Sequence, residues 1–444
     1  MNPQQQIPVS RQGLLSLLDR IRSPLYRNSL FLMVNSAVTA GVGFFFWMVV
    51  ARSYDKWDVG FGSATLSAIS LLAALSLFGA NTTIIRFLPK AEKPVDLINT
   101  CLTVCGMIAI VIAIIFILGL DFWSPALIFI KQNIVFATAF ILFVVVSTFL
   151  TILNSTYIAK RRANYVLIQD LTHSILKIPL PALLVLLSFH SFGIASSLGI
   201  AMIVAVIIGI FILVPRAEKG FTVKPVINRN IIGNLWRYST GNYLSAILNS
   251  APGWILPILV VNMLGSEENA YYYITWILAM LLASIPIATS NSLFAEGSHF
   301  ETDLQLNLRK TLRFTYLLLV PAIIIMQFLG GWILSLFGPG YSYHGLTLLR
   351  LLAVSFVFFG VNSIYFTTLR IENRITELCC IYALQGFATL TTSYFLIDKI
   401  GTIGIGYTYL GVRFITCLYV VFNLIRRYFK SKNVKTTKIN PEVK

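Results

Sequence analysis

The chain has 444 residues, is 57% hydrophobic and only 11% charged, and carries a formal net charge of +17. Soluble domains hold about 25% charged residues, and a water-soluble fold of this length could not hide so much apolar surface. Water-soluble folds, disordered chains and nucleic-acid binders are excluded despite the basic charge, and the bilayer is the solvent.

Residues 1–27 are polar and basic. The first apolar run, Ser29 to Ala51, has the length of a full span rather than of a cleavable signal core, and no small-residue cleavage site follows it. Ahead of it, Leu14, Leu18, Ile21 and Leu25 recur at helical spacing among Arg11, Arg20 and Arg22. That pattern suits a short helix lying in the membrane interface, with a frayed leader as the alternative.

A membrane crossing needs about 20 mostly apolar residues. Twelve segments qualify, at roughly 28–52, 60–86, 97–120, 134–158, 166–188, 192–215, 231–262, 270–295, 311–334, 344–369, 376–397 and 402–425. Backbone groups facing lipid must be paired within their own segment, so these are helices. The basic residues fix the orientation. Of the 34 Lys and Arg residues, only Arg52, Lys56, Lys131 and Lys399 fall on one side, and Lys177, Arg350 and Arg413 fall inside spans. The remainder lie on the other side, which the positive-inside rule makes cytoplasmic, with both termini there.

The longest basic connection, Pro215 to Arg229, lies in the middle of the chain. An offset of 210 residues lays Ser53–Gly60 over Met263–Ala270, Leu71–Ala73 over Leu281–Ala283 and Asn81 over Asn291 without a gap. The expected architecture is an all-α integral membrane protein with two parallel-repeat lobes of six helices each. Its expected parts are an N-terminal segment (1–27), an N-lobe (28–215), a linker (216–230), a C-lobe (231–428) and a basic tail (429–444).

No nucleotide-binding loop, metal-protease motif or aqueous catalytic pair is present, so neither an enzyme nor a cofactor is expected. Cys101, Cys105, Cys379, Cys380 and Cys417 read as small packing residues, and the four histidines are scattered. Glu267-Glu268 reads as a solvated turn. Intramembrane charges carry more information, because a charge at the bilayer centre costs several kcal/mol and faces a cavity or a partner. Lys177 falls about 18 Å into span five, and Asp170, His173 and Lys177 share one helical face within about 60°. That stripe lines an aqueous path or relays a proton, unless it is a structural Asp–Lys contact. Arg413 is similarly deep in span twelve, while Arg350 is close enough to the outer end to snorkel. These cations favour an anionic, phosphate-bearing substrate over a cationic drug. Uncharged polar residues gather in the first two helices of each half: Asn35 and Thr39, Asn81, Asn242 and Asn249, and Asn291. They line a cavity or join helices.

The stretches Arg27–Ser29, Ala51–Tyr54, Val59-Gly60, Phe78-Gly79 and Ile85–Phe87, with Tyr271–Tyr273 and Ser292–Gly297, resemble the polysaccharide flippases. These belong to the multidrug/oligosaccharidyl-lipid/polysaccharide exporter superfamily. The resemblance implies two V-shaped lobes around a cavity lined by spans one, two, seven and eight. It also implies alternating access and a plasma-membrane location. The implied cargo is an isoprenoid pyrophosphate-linked oligosaccharide moved to the outer leaflet, with a proton or sodium as candidate coupling ion and glycan-assembly enzymes as candidate partners. Many relatives carry an acid in the middle of span seven, where this chain reads Asn249-Ser250-Ala251-Pro252-Gly253. Arg86 and Glu296, matched by the repeat offset, form a candidate cytoplasmic gate pair. A multidrug exporter and a membrane scaffold for glycan-assembly enzymes are the alternatives.

Overall fold

The computed structural model describes residues 24–186, 191–297 and 304–438. The interfacial helix expected before residue 24 lies outside them. Because most apolar runs lack interior charge, each continues as one helix until glycine, proline or a polar turn ends it. The N-terminal half comprises α1 (Pro24–Ser53), α2 (Lys56–Ser76), α3 (Ala80–Phe87), α4 (Pro94–Leu118), α5 (Ile134–Ala159), α6 (Ala163–Lys177), α7 (Pro179–Leu186) and α8 (Ser191–Ile208). The C-terminal half comprises α9 (Arg229–Leu264), α10 (Ser266–Gly297), α11 (Leu304–Ser335), α12 (Tyr341–Ile371), α13 (Ile375–Ile400) and α14 (Ile403–Lys438). No strand occurs among the described residues.

Among the described residues, eleven helices are long and apolar enough to cross a membrane. The twelfth expected crossing, span five, is broken into α6 and α7. Pro179 and Pro181 have no N–H to give to the preceding turn, so the helix stops at Lys177 and restarts. The hydroxyl of Tyr54, at the end of α1, donates to the Pro181 carbonyl at 2.9 Å and pins the second piece. Span two is also interrupted. Phe78 and Gly79 both take positive φ (44° and 81°), which turns the chain between α2 and α3.

The linker does not hang free. Asn99 of α4 donates to the Thr222 carbonyl at 2.8 Å, and the Val226 amide donates to Thr103 Oγ1 at 3.3 Å. Lys160 pairs with Glu218 at the linker's start. In the opposite loop, between α4 and α5, a hydrogen bond from Lys131 holds the Asp121 carboxyl below the usual carboxylate range. Buried apolar residues of both halves form one continuous core that crosses the seam at α2, α9 and α10. The perimeter exposes Val111, Ile115, Leu317, Phe328 and Phe422, the side chains that the bilayer solvates.

Candidate functional site

The seam between the halves is closed at the end poor in basic residues, the outer end. Gly60 of α2 lies so near Ser266 of α10 that no side chain fits between them. Asn269 Nδ2 donates to the Gly60 carbonyl at 2.7 Å and to Ser63 Oγ at 3.1 Å, and the Ser266 hydroxyl donates to the Trp57 carbonyl. Lys56 Nζ stands 3.5 Å from Glu267 Oε1, which also accepts from the Tyr271 hydroxyl at 2.7 Å. Glu268 lies 3.5 Å from His344 Nδ1, whose ring stacks on Tyr271. Asn262, at the end of α9, bonds to Ser124 Oγ and to the Ala126 amide, both at 3.1 Å, and Arg52 Nε donates to the Leu336 carbonyl at 2.7 Å. Glu267 is thus part of an inter-half latch, and Glu268 pairs within the C-terminal half, rather than both forming a plain solvated turn. Local sequence offers no partner for Glu267, because Lys56 is 211 residues away. The segments that the 210-residue offset superposes are the ones that meet here.

Towards the cytoplasmic end, the described residues include one contact between the halves through a tyrosine. Tyr243 of α9 donates to the Leu75 carbonyl at 2.8 Å and stacks on Phe78. Asn242 and Asn249 on α9 and Asn291 on α10 are exposed. Beside the start of α9 is a cavity of about 310 Å³, lined by Thr83, Phe87, Lys90, Glu92, Lys93 and Asn228 among others. Asn81, on α3, is half-buried, and its carbonyl oxygen has no partner among the described residues. Arg86 is exposed and sits 5.7 Å from the Phe87 ring. The Glu296 side chain lies outside the described residues, and the proposed gate pair with it.

Asp170 is the centre of a polar network inside the N-terminal half. Its carboxylate accepts from Asn35 Nδ2 of α1 at 2.7 Å and from Asn154 Nδ2 of α5 at 3.1 Å. Asn154 Oδ1 accepts from Gln169 Nε2 at 3.0 Å, and Gln169 Oε1 accepts from the Tyr157 hydroxyl at 3.0 Å. Tyr157 also lies 3.3 Å from the carbonyl of Gly209, where α8 loosens into a π-helical turn, Gly209–Leu213. Thr39 bonds only back to its own helix, at Asn35 and Ser36. The Nε2 of His173 is buried with no partner among the described residues. Sequence reading missed Asn154, Gln169 and Tyr157, and the π turn has no clear sequence signal. A Cβ on Gly209 would stand 2.4 Å from Gln169 Oε1. Gly209→Ala should therefore lower stability by about 1–3 kcal/mol through overpacking, read as a lower Tm in detergent.

The three intramembrane cations are not brought together. Lys177 ends α6, buried, with its Nζ 5.7 Å from the Phe46 ring centre. Arg413 is buried within the C-terminal half among Phe356, Phe359 and Tyr409, at 4.3, 4.9 and 4.9 Å, and its Nη1 donates to Ser355 at 2.7 Å. Arg350 is exposed on α12, bonded to Gln327 of α11.

This arrangement has close structural counterparts. The chain superposes on a structure titled lipid II flippase MurJ, inward closed conformation, with a TM-score of 0.73 and 12% identity, over 89% of this chain and 87% of that one. It superposes on an inward-facing multidrug resistance MATE family transporter of the MOP superfamily with a TM-score of 0.65 and 14% identity, over 87% and 94%. The fold is that of the MOP-superfamily transporters. In sequence, 149 residues are 25% identical to a "Putative O-antigen transporter" of Shigella flexneri, taking in 33% of this chain and 36% of that protein. The chain thus matches about a third of that curated relative's length. No family model matches. The eleven candidate spans among its described residues make it a multi-pass membrane protein.

Proposed function

We propose that the protein is a flippase that moves isoprenoid (pyro)phosphate-linked oligosaccharide from the cytoplasmic to the outer leaflet by alternating access. The halves at 28–215 and 231–428 act as its two rocking bodies. Two observations support this reading: the amides Asn242, Asn249 and Asn291 are exposed, and a cytoplasmic mouth beside the start of α9 is lined by Lys90 and Lys93 together with Glu92. Amides suit sugar hydroxyls, and lysines attract phosphate as point charges. The latched outer end leaves the cytoplasmic side as the loading side.

Four carboxylates already held by protein groups support an anionic over a cationic cargo, although Glu92 shares the mouth with Lys90 and Lys93. Glu267 is engaged by Lys56 and Tyr271, Glu268 by His344, Asp58 by Ser191, and Asp170 by two asparagines. A cationic drug needs a carboxylate that is open to it. Asp170 and His173 are the proposed coupling groups, with a proton or sodium as the ion.

The test is a deletion strain in which lipid-linked oligosaccharides and surface glycan are quantified together. The expected result is accumulation of complete lipid-linked units facing the cytoplasm, with surface glycan lost. Unchanged lipid-linked units in a strain without redundant flippases would overturn the reading. New sensitivity to cationic drugs in that strain would favour the multidrug exporter, and rescue by a transport-dead variant would favour a scaffold.

A further inference from the structure

Arg350 lies away from the seam. α12 packs against α10, α11 and α14. Tyr343, Thr347, Arg350 and Val354, all exposed, follow at spacings of four, three and four and form one stripe on its free face. Neighbouring Ile324, Phe328 and Leu329 of α11 are exposed as well, so the arginine stands among side chains that face lipid. The aromatic residues Trp332 and Tyr343, exposed nearer the outer end, mark the interfacial belt. Arg350 is seven residues below Tyr343, about 10 Å towards the bilayer centre.

The guanidinium is held in place rather than left to wander. Arg350 Nε donates to the Gln327 carbonyl at 3.2 Å, and Gln327 Nε2 donates back to the Arg350 carbonyl at 3.0 Å. Among the described residues no carboxylate pairs with Arg350. Its two terminal nitrogens remain for a ligand, and the Thr347 hydroxyl lies one turn above as a further donor.

We propose that Arg350, with Thr347, binds the phosphodiester of an outer-leaflet phospholipid whose acyl chains lie against Ile324 and Phe328. A fixed cation at this depth draws the nearest anion, and in the outer leaflet that anion is a lipid phosphate. The planar guanidinium offers a phosphate two parallel N–H donors. The stripe is turned away from α2, α9 and the cytoplasmic mouth, so the occupant is a resident lipid rather than cargo in transit. The site does not depend on what the protein transports.

The test is thermal unfolding of the purified, delipidated full chain and its R350Q variant in detergent. Four additions are compared: phosphatidylglycerol, diacylglycerol of the same chains, inorganic phosphate and a polyprenyl phosphate. Phosphatidylglycerol should raise the Tm of the unaltered protein more than that of R350Q, and diacylglycerol and inorganic phosphate should show no such difference. T347V, which keeps the arginine and its Gln327 bonds, should give an intermediate shift and serves alone if R350Q does not fold. Equal phosphatidylglycerol shifts in the unaltered protein and the folded variants would overturn the proposal. A difference seen equally with diacylglycerol, or with inorganic phosphate alone, would also overturn it, as would a larger difference with polyprenyl phosphate, which would reassign the site to cargo.

Discussion

If the protein is the proposed flippase, Gly60→Ala is expected to cut transport by about 5–150-fold while leaving the protein folded. A Cβ at this position would lie 1.8 Å from the Ser266 carbonyl oxygen and 2.5 Å from its carbonyl carbon. Both are backbone atoms, so no rotamer change relieves the overlap, and α2 and α10 must move apart. The bonds from Asn269 to the Gly60 carbonyl and from Ser266 to the Trp57 carbonyl then stretch together. Overpacking of this kind costs about 1–3 kcal/mol. The clash exists only where the halves meet, so the cost falls on the outer-closed state, whose population drops by about 5–150-fold. A transporter whose outer end closes that much less often completes its cycle that much less often.

The check uses a cysteine at Ser63, which is fully buried beside Asn269, in an otherwise cysteine-free background. A membrane-impermeant thiol reagent added from outside should label Ser63→Cys faster when Gly60→Ala is also present. Unchanged labelling with normal transport would mean that α2 absorbs the methyl group and that the close approach is not a gate. An unchanged elution profile in detergent separates this effect from unfolding.

How much of this was legible in the sequence follows from what one-dimensional patterns encode. Apolar length and the placement of basic residues located the spans and their orientation, because the bilayer imposes both on every crossing. The break after Lys177 was not seen, since Pro179 and Pro181 sit among leucines in an apolar run and proline changes hydropathy little. Arg413 and Arg350 were both placed at depth. Depth along a helix says nothing about which neighbour a face meets, and one arginine is caged by rings while the other faces out. The Asp170 face reads as an aqueous path or a proton relay, with a contact to Lys177 as the alternative. The carboxylate is hydrogen-bonded to asparagines from two other helices, 135 and 16 residues away in sequence. Only packing brings those together.

That network yields the second large expected effect. Asp170 is the acceptor that joins α1, α5 and α6, so Asp170→Ala leaves the Asn35 and Asn154 amides without it. A fully buried donor without its acceptor costs about 1–3 kcal/mol; these amides are half-buried, so the two together should lower stability by about 1–2 kcal/mol, read as a loss of Tm in detergent. Asp170→Asn has nearly the same shape and keeps one oxygen, so it should retain much of that stability while removing the charge. If Asp170 is a coupling group as well as a joint, the asparagine variant separates the two roles. In proteoliposomes it should fold and bind cargo but no longer respond to an imposed proton or sodium gradient. Full gradient-driven transport by Asp170→Asn would reduce Asp170 to a structural joint, while leaving the stability loss of Asp170→Ala as its signature. The amide partners sharpen the comparison. Asn35→Ala removes one of the two hydrogen bonds without touching the charge, so it should weaken stability and preserve the gradient response.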